Sequence, residues 1–480
     1  MLNDKRKKLI FIFCALFLLL LTALLTKSEV TMAGNESSRF GTIQALAEQN
    51  TFALNNTTFR TVDRIIIGDK VYSDKPLMLM VVHGMMFKVI AAVTGITFNS
   101  HYFLAVYLTN LLGIGLLNII LFILFFKRLD RDVEAPFYSK LFLSASLLIS
   151  TMLLSYGVTM NNHTPAALIL FILFLQLMDY PVKDTMLRAF LAGITAGALL
   201  TVEIPVGGIL GISSFIIVLL FSQERKLLKS AVYSVGGLLP IFAMCLVNYI
   251  ATGSILPQYL GAGGTYQPLP DVSIGYLLDI LFWNRGFFSY MPAMLFIIPV
   301  LLINRSILKN RLELIILLTV ASIILFYGLF TNEYGGWAYG FRYLIPVIPV
   351  IWFFIAREYA PKTGSWQYTV LCALIFWGIV TSYAGTYNPW CSCYEASRSQ
   401  PNSVNYYVRN SFAANVLCIS FEQNPDSALS RFMINSVYGP VVATAYLNEA
   451  FVNTKNIEKL LELREYCRKN PQTQMKLQEK

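Results

Sequence analysis

Long apolar runs separated by short polar loops set the pattern of this chain. Most runs approach the roughly 17–25 residues that cross the hydrocarbon core of a bilayer. Because a spanning chain must satisfy its backbone hydrogen bonds internally, the runs are predicted to be helices. The predicted spans are Leu9–Leu25, Tyr102–Phe126, Leu141–Tyr156, Pro165–Met178, Ala189–Leu200, Ile204–Phe221, Ala231–Ile250, Ser289–Ile303, Leu312–Phe330, Tyr343–Ala356 and Tyr368–Tyr383. The pattern therefore predicts an all-α polytopic membrane protein with about 11 transmembrane helices.

Composition and charge favour a membrane protein over a soluble one. Of 480 residues, 56% are hydrophobic and 13% are charged, which is too apolar for a soluble protein of this length. The net charge of +10 does not indicate a nucleic-acid partner, because most Lys and Arg lie in short loops that the positive-inside rule assigns to the cytoplasm. Basic residues 5–8 precede the first run, so we predict a cytoplasmic N-terminus and a retained first helix.

The first helix delivers a long polar loop, residues 27–76, to the non-cytoplasmic face. Within it, Phe40–Glu48 mixes apolar and polar residues and is predicted to be an interfacial helix. The next apolar run, Leu77–Ile96, carries Lys88, and a charge at the centre of a spanning helix costs about 2.5–3.5 kcal/mol. We therefore predict that this run is interfacial or re-entrant. The later basic loops alternate correctly only if it does not cross.

The composition changes near residue 385, which divides the chain into a membrane module, 1–385, and a polar tail, 386–480. An odd number of spans places the tail on the non-cytoplasmic face, where it is long enough for a small domain. On an oxidising face its four cysteines permit one or two disulfides, and the pairing stays open. They are Cys391, Cys393, Cys418 and Cys467.

Charged residues beside apolar runs on the predicted outer face mark the candidate chemistry. The positive-inside rule disfavours Arg285 and Arg342 on this face, and Glu203 is costly in an apolar run unless it faces a cavity or a partner. Arg binds phosphate through a planar fork, and Lys binds it as a point charge. A nearby carboxylate can act as a general base toward a hydroxyl. The alternative for Glu36 is a purely structural pair with Arg39 or Arg64.

Three motifs carry a resemblance to a known family. They are Asn35-Glu36-Ser37-Ser38-Arg39, Ser73-Asp74-Lys75-Pro76-Leu77, and the run from Gly336 to Pro346, Gly-Trp-Ala-Tyr-Gly-Phe-Arg-Tyr-Leu-Ile-Pro. Together with the large first outer loop, they resemble the GT-C superfamily of membrane glycosyltransferases. The branch that looks most similar contains the protein O-mannosyltransferases and the bacterial lipid A aminoarabinose transferases. The resemblance covers residues 1–385. The second motif departs from the family pattern, because Leu77 stands where a second proline is common.

The resemblance implies an enzyme that moves a sugar from a polyprenyl-phosphate donor to a hydroxyl acceptor on a protein, lipid or glycan. It implies inversion at the sugar, Glu36 as the general base and Lys75 as a contact of the donor phosphate. Our own candidates for further phosphate contacts are Arg342 and Arg285. Additional candidates for substrate binding are Arg39, Asp74, His163, Glu203, Glu333, Trp337 and Tyr343.

Several questions stay open at the level of sequence. No cofactor is assigned, and a divalent metal with His163 as a ligand is an open alternative. The expected partners are the donor, the acceptor and membrane lipids, without nucleic acid, in a bacterial inner or plasma membrane. A lipid or small-molecule transporter or flippase is one alternative, although such proteins more commonly show internal repeats. A polysaccharide polymerase or ligase is the other. The pattern specifies neither the sugar nor the acceptor.

Overall fold

A computed structural model describes residues 3–30, 34–257, 260, 274–283, 285–331, 335–336, 338–390, 412, 415, 416, 419, 420 and 423. The α-helices are α1 Asp4–Leu25, α2 Asn35–Gln49, α3 Leu77–Thr94, α4 Tyr102–Asn110, α5 Leu116–Asp132, α6 Phe137–Ile149, α7 Met152–Tyr156, α8 His163–Asp179, α9 Met186–Val202, α10 Ile204–Phe221, α11 Lys226–Thr252, α12 Ile274–Phe282, α13 Phe287–Tyr290, α14 Ile297–Ile303, α15 Arg305–Lys309, α16 Arg311–Phe330, α17 Ile348–Tyr359 and α18 Trp366–Tyr387. Two strands, β1 Arg64–Ile67 and β2 Lys70–Ser73, form an antiparallel hairpin.

Long apolar helices dominate the part of the chain that the structure describes. Eight are long and apolar enough to cross a membrane, or nine if the bent segment from α12 to α14 is one span. They are α1, α3, the continuous run Tyr102–Asp132, α8 with the turn that follows it, α10, α11, α16 and α18. The apolar run predicted the bounds of α10 to the residue. The total of about 11 spans stays a prediction.

The prediction of one helix over Leu141–Tyr156 is wrong. Helix α6 ends at Ile149 and α7 begins at Met152. At the break, the Ser150 and Thr151 hydroxyls donate to the carbonyls four residues earlier, at 2.7 and 2.6 Å. Such bonds compete with the helix backbone, and Thr151 also caps the next helix by accepting from the Leu153 amide at 3.2 Å.

Two other predicted spans contain a 3₁₀ turn. Ser289–Ile303 contains a 3₁₀ turn at Pro292–Phe296 before α14, and Tyr343–Ala356 starts within a 3₁₀ turn at Arg342–Val347 before α17. A proline lies in each turn, and proline lacks the amide that an α-helix interior needs. Residue Arg342 is therefore held at the mouth of the bundle by irregular backbone.

The first polar loop is a packed structure. Helix α2 begins at Asn35, five residues before the predicted interfacial helix Phe40–Glu48, and most of its side chains are buried. The β1–β2 hairpin within residues 27–76 was not predicted. Helix α3 packs along α2, where Gly84 lies close to Leu46 and Lys88 Nζ lies 2.5 Å from Asn50 Oδ1. The loop thus forms a compact layer of helices and hairpin.

The residues that flank α3 on both sides contact the layer that α2 builds. Lys75, just before α3, belongs to the layer that α2 builds. Beyond its last residue, the Phe98 amide donates to Glu48 Oε1 at 2.6 Å, and the Tyr102 hydroxyl accepts from the Val30 amide at 3.4 Å, next to the end of α1. These contacts support the prediction that α3 lies at the membrane face, although its length and hydropathy also suit a span.

Basic loops that the sequence assigns to the cytoplasm meet at the opposite end of the bundle. Arg128 at the end of α5 contacts Asp179 at the end of α8, at 2.7 Å. Lys229 at the start of α11 contacts Asp184 in the loop before α9, at 2.5 Å. Each of these ion pairs joins loops that the positive-inside pattern assigns to the same face. The tail domain proposed for 386–480, with its four cysteines, lies almost entirely outside the described residues.

Candidate functional site

A cavity lies where α2, α3, α8, α9 and the Arg342–Val347 turn converge, at the end of the bundle that carries the polar loop. Its volume is about 70 Å³. Six of the residues proposed from sequence line it, namely Arg39, Lys75, His163, Glu203, Arg342 and Tyr343. Five more residues complete the described lining, namely Asn35, Pro76, Asn162, Val202 and Ile204. Positions far apart in the sequence therefore meet in one polar cavity.

Arg39 enters the cavity from the second turn of α2. Its side chain is 2% exposed. Its Nε donates to Asn35 Oδ1 at 2.9 Å, and its Nη2 donates to Asn162 Oδ1 at 2.8 Å. Its Nη1 is buried and makes no hydrogen bond with the described residues. Burial, together with the nearby charge of Arg342, lowers the pKa of Arg39 to about 10, so the guanidinium stays charged at neutral pH.

Arg342 enters from the opposite wall, at the first residue of its 3₁₀ turn. It is 7% exposed, and its guanidinium carbon lies 4.8 Å from the Trp390 ring centroid and 5.4 Å from that of Tyr343. The aromatic faces favour the positive charge. Its Nε and Nη1 are buried and make no hydrogen bond with the described residues. Two buried arginines thus present N–H donors without acceptors to one cavity.

Glu203 is the buried carboxylate of the cavity wall. It occupies the extended link between α9 and α10, and Pro205 fits the first turn of α10, where its missing N–H costs no hydrogen bond. The Asn162 amide donates to Oε2, and the Tyr327 hydroxyl donates to Oε1 at 3.1 Å. His163 Nδ1 lies 3.0 Å from Oε2. The carboxylate is therefore well supported, as its position in an apolar run requires.

Lys75 lines the cavity but is already paired. Its Nζ lies 2.9 Å from Asp63 Oδ2 and 3.2 Å from Asp74 Oδ2. Its backbone amide donates to Ser73 Oγ at 3.1 Å, which anchors the start of α3 to the hairpin. Burial raises the pKa of Asp74 in spite of the neighbouring ammonium group. Lys75 therefore contributes a positive charge to the cavity that Asp63 and Asp74 partly neutralise.

Glu36 lies one turn before Arg39 on α2 and is not among the described residues that line the cavity. It is fully buried and accepts a hydrogen bond from the Thr159 hydroxyl. The Trp390 indole N–H donates to the same hydroxyl at 3.3 Å. Arg39 bonds to Asn35 and Asn162 instead, so the described contacts of Arg39 do not make the structural pair proposed for it with Glu36.

Arg285 occupies a separate place. Its Nη1 donates to the Gly336 carbonyl at 2.5 Å, and it is not among the described residues of the cavity wall. Of the two arginines proposed as phosphate contacts, Arg342 lines the cavity, and its arginine partner there is Arg39. Glu333 and Trp337 lie outside the described residues.

Sequence reasoning missed four residues that support the site. Asn162 bridges Arg39 and Glu203, Tyr327 holds Glu203, and Thr159 with Trp390 surrounds Glu36. Asn162 adjoins His163, which offered a signal, whereas Tyr327 lies within an apolar helix and offered none. Among the described residues, no cluster of three or more His, Cys, Asp or Glu side chains is placed to hold a metal ion.

Comparisons of this chain with protein-family models, with curated proteins and with solved structures give no match.

Proposed function

We propose that this chain is an integral-membrane glycosyltransferase that takes its sugar from a polyprenyl-phosphate donor and passes it to a hydroxyl acceptor with inversion. One observation carries the proposal: Arg39 and Arg342 are both buried, and both hold N–H donors without acceptors toward the same cavity. A buried charged donor that lacks a partner is costly. An anion with several oxygens removes that cost, and phosphate suits the guanidinium fork.

The position of the cavity favours a phosphate carried by a lipid. The cavity opens among the ends of long apolar helices, where a headgroup would sit while its chain stays among them. The cavity favours an anion of modest net charge, because Glu203 already offsets part of the positive charge of its lining. Lys75, shared with Asp63 and Asp74, completes the positive side.

Helix α2 places the two halves of the proposed chemistry side by side. Arg39 faces the cavity, and Glu36, three residues earlier, faces Thr159 beyond it. In the proposed step the acceptor oxygen attacks the anomeric carbon, and the bond from that carbon to the phosphate oxygen breaks. The electron pair of that bond stays on the phosphate, where Arg39 and Arg342 stabilise the charge. Glu36 takes the proton of the acceptor hydroxyl.

His163 and Glu203 serve the donor side of this arrangement. Glu203 fixes Asn162, and Asn162 fixes Arg39, so the carboxylate orients a phosphate-binding group without touching substrate. His163 lies on the cavity wall beside Glu203 and is available to contact the sugar or the phosphate.

A Glu36→Gln variant tests the assigned base. Gln keeps the shape and a hydrogen-bond acceptor for Thr159 but cannot accept the proton. We expect the variant to bind the donor like the wild type and to release polyprenyl phosphate about 10²- to 10⁴-fold more slowly. Glu134→Gln, at an exposed carboxylate of the opposite end, is the matched control and should turn over normally. Full activity of Glu36→Gln at normal expression would remove Glu36 from the mechanism.

A further inference from the structure

A second cavity, an open groove, lies between α9, α10 and α11. It adjoins the cavity that Arg39 and Arg342 line, which we call the arginine cavity. The volume of the groove is about 380 Å³, within the usual range for ligand sites of about 300–1,000 Å³. Apolar side chains and glycines line it, including Leu200 of α9, Gly208, Gly211 and Ile212 of α10, and Leu238 of α11. Ile212 and Leu238 are 67% and 59% exposed, so the groove opens on the apolar outside of the bundle.

The groove and the arginine cavity share one wall. Val202, Glu203 and Ile204 line the cavity and connect α9 to α10. Leu200 at the top of the groove lies two residues before Val202, and Gly207 lies three residues after Ile204. At about 1.5 Å per residue, the groove starts within one helical turn of the cavity. Along α10 it continues to Phe215, about 12 Å further.

Two kinds of glycine shape the groove. A Cβ on Gly197 would lie 2.2 Å from the Gly237 carbonyl oxygen, and one on Gly207 would lie 2.2 Å from Leu200 Cα. These glycines let the three helices approach closely. A Cβ on Gly208 or Gly211 would meet no atom within 4 Å, so these two positions leave space rather than permit contact. Gly197 and Gly207 thus allow close helix packing, and Gly208 and Gly211 leave the adjacent space of the groove open.

The two cavities together define one amphiphilic ligand. The arginine cavity offers buried cationic donors without acceptors, and the groove offers an apolar surface one turn away. A water-soluble phosphate ester would make no use of the groove, and a neutral lipid would leave the arginine N–H groups without acceptors. We infer that the groove binds the first part of the apolar chain of a lipid whose phosphate lies between Arg39 and Arg342. This inference rests on the proposed function and specifies where its donor lies.

Gly208→Leu tests this assignment because it fills the groove without displacing packed atoms. Leu is also a better helix former than Gly, so the change favours α10. Ala373→Leu, on the exposed face of α18, is the matched control. Binding to the purified protein in nanodiscs is measured for undecaprenyl phosphate and for dimethylallyl phosphate, which has the same head and only five chain carbons.

We expect Gly208→Leu to weaken undecaprenyl phosphate binding by about tenfold or more, because the leucine side chain occupies the space of the lipid chain and keeps it from lying in the groove while the phosphate contacts both arginines. Dimethylallyl phosphate should bind as to the wild type, and Ala373→Leu should change neither affinity. Equal binding of undecaprenyl phosphate by wild type and Gly208→Leu overturns the groove and leaves the proposed function intact. A wild type that binds neither phosphate overturns both.

A cross-linking measurement covers the case in which Gly208→Leu weakens both ligands equally. A diazirine on the second isoprene unit of the long-chain phosphate should label the wild-type protein within α10 and α11, at groove residues such as Ile212 and Leu238. Labelling confined to other helices overturns the inference.

Discussion

At the residue scale, two buried guanidinium groups carry an unfavourable desolvation cost that bound ligand oxygens would remove. Arg39 and Arg342 are almost fully buried, and each holds N–H donors that meet no acceptor among the described residues. A hydrogen bond to a charged group contributes about 1.5–3 kcal/mol, so an anion that bridges the two gains several such bonds at once. Asn35 and Asn162 hold the Arg39 side chain in place before a ligand binds, which lowers the entropic cost of ordering it.

The pair Arg342→Lys and Arg285→Lys separates a ligand contact from a structural arginine. Lys keeps the charge but loses the planar fork. We expect Arg342→Lys to weaken binding of the polyprenyl-phosphate donor by about 1.5–3 kcal/mol, or about 10- to 100-fold. Arg285→Lys should leave donor affinity unchanged, because Arg285 donates to the Gly336 carbonyl and is not among the described residues of the cavity wall. Equilibrium binding to folded protein is the measurement, and equal losses in the two variants would contradict the assignment.

Tyr327→Phe tests the support of Glu203. The change removes the hydroxyl that donates to Oε1 at 3.1 Å and leaves the buried carboxylate short of a partner. We expect the free energy of unfolding to fall by about 1–3 kcal/mol. Tyr383→Phe, at a side chain that is 56% exposed, is the control and should change it by less than about 0.5 kcal/mol. Similar values for the two variants would show that Glu203 does not depend on Tyr327.

Charge made part of the site predictable from sequence. Glu203 and Arg342 stood out because ionised groups beside apolar runs are costly without a partner, and both line the cavity. The same reasoning also selected Arg285, which is not among the described residues of the cavity wall; its Nη1 donates to a backbone carbonyl, and carbonyls leave no mark in the sequence. Asn162 and Tyr327 are neutral, so no charge penalty pointed to them.

At the element scale, hydropathy predicted helices where apolar residues run without interruption. It placed both ends of α10 correctly. It failed at the break between α6 and α7, where two hydroxyl side chains end a helix without changing the hydropathy. It also missed the β1–β2 hairpin, since four-residue strands such as Arg64–Ile67 give too short an alternation to recognise. Short-range side-chain bonding, rather than composition, decides these positions.

Helix α3 provides the element whose placement is most open to test. Lys88 contacts Asn50 at the end of α2, and the segment after α3 contacts Glu48 of α2, so the interfacial placement predicted from Lys88 has contacts that support it. In a cysteine-free background of intact vesicles, Val93→Cys, 81% exposed near the end of α3, should react with an impermeant maleimide from the same side as Val62→Cys, 75% exposed in the polar loop. Glu134→Cys should react from the opposite side. If Val93→Cys instead reacts from the same side as Glu134→Cys, α3 is a span.

At the scale of the whole molecule, the two ends of the bundle differ in what their charges do. At one end, ion pairs such as Arg128–Asp179 and Lys229–Asp184 join neighbouring loops and satisfy one another. At the other end, the polar layer of α2, the hairpin and α3 covers a cavity whose arginines lack acceptors. The alternation of basic loops predicted this division, while the convergence of five elements on one cavity depends on tertiary packing that hydropathy does not encode.

The most direct test of the account is the fate of a polyprenyl-phosphate sugar given to the purified wild-type protein in nanodiscs with a panel of hydroxyl acceptors. Release of polyprenyl phosphate and the anomeric configuration of the transferred sugar are measured together. The account predicts release coupled to transfer, with a configuration opposite to that of the donor, because a single displacement by the acceptor inverts the anomeric carbon. Transfer with retention, or no release across a panel of such donors that bind the protein, would contradict it.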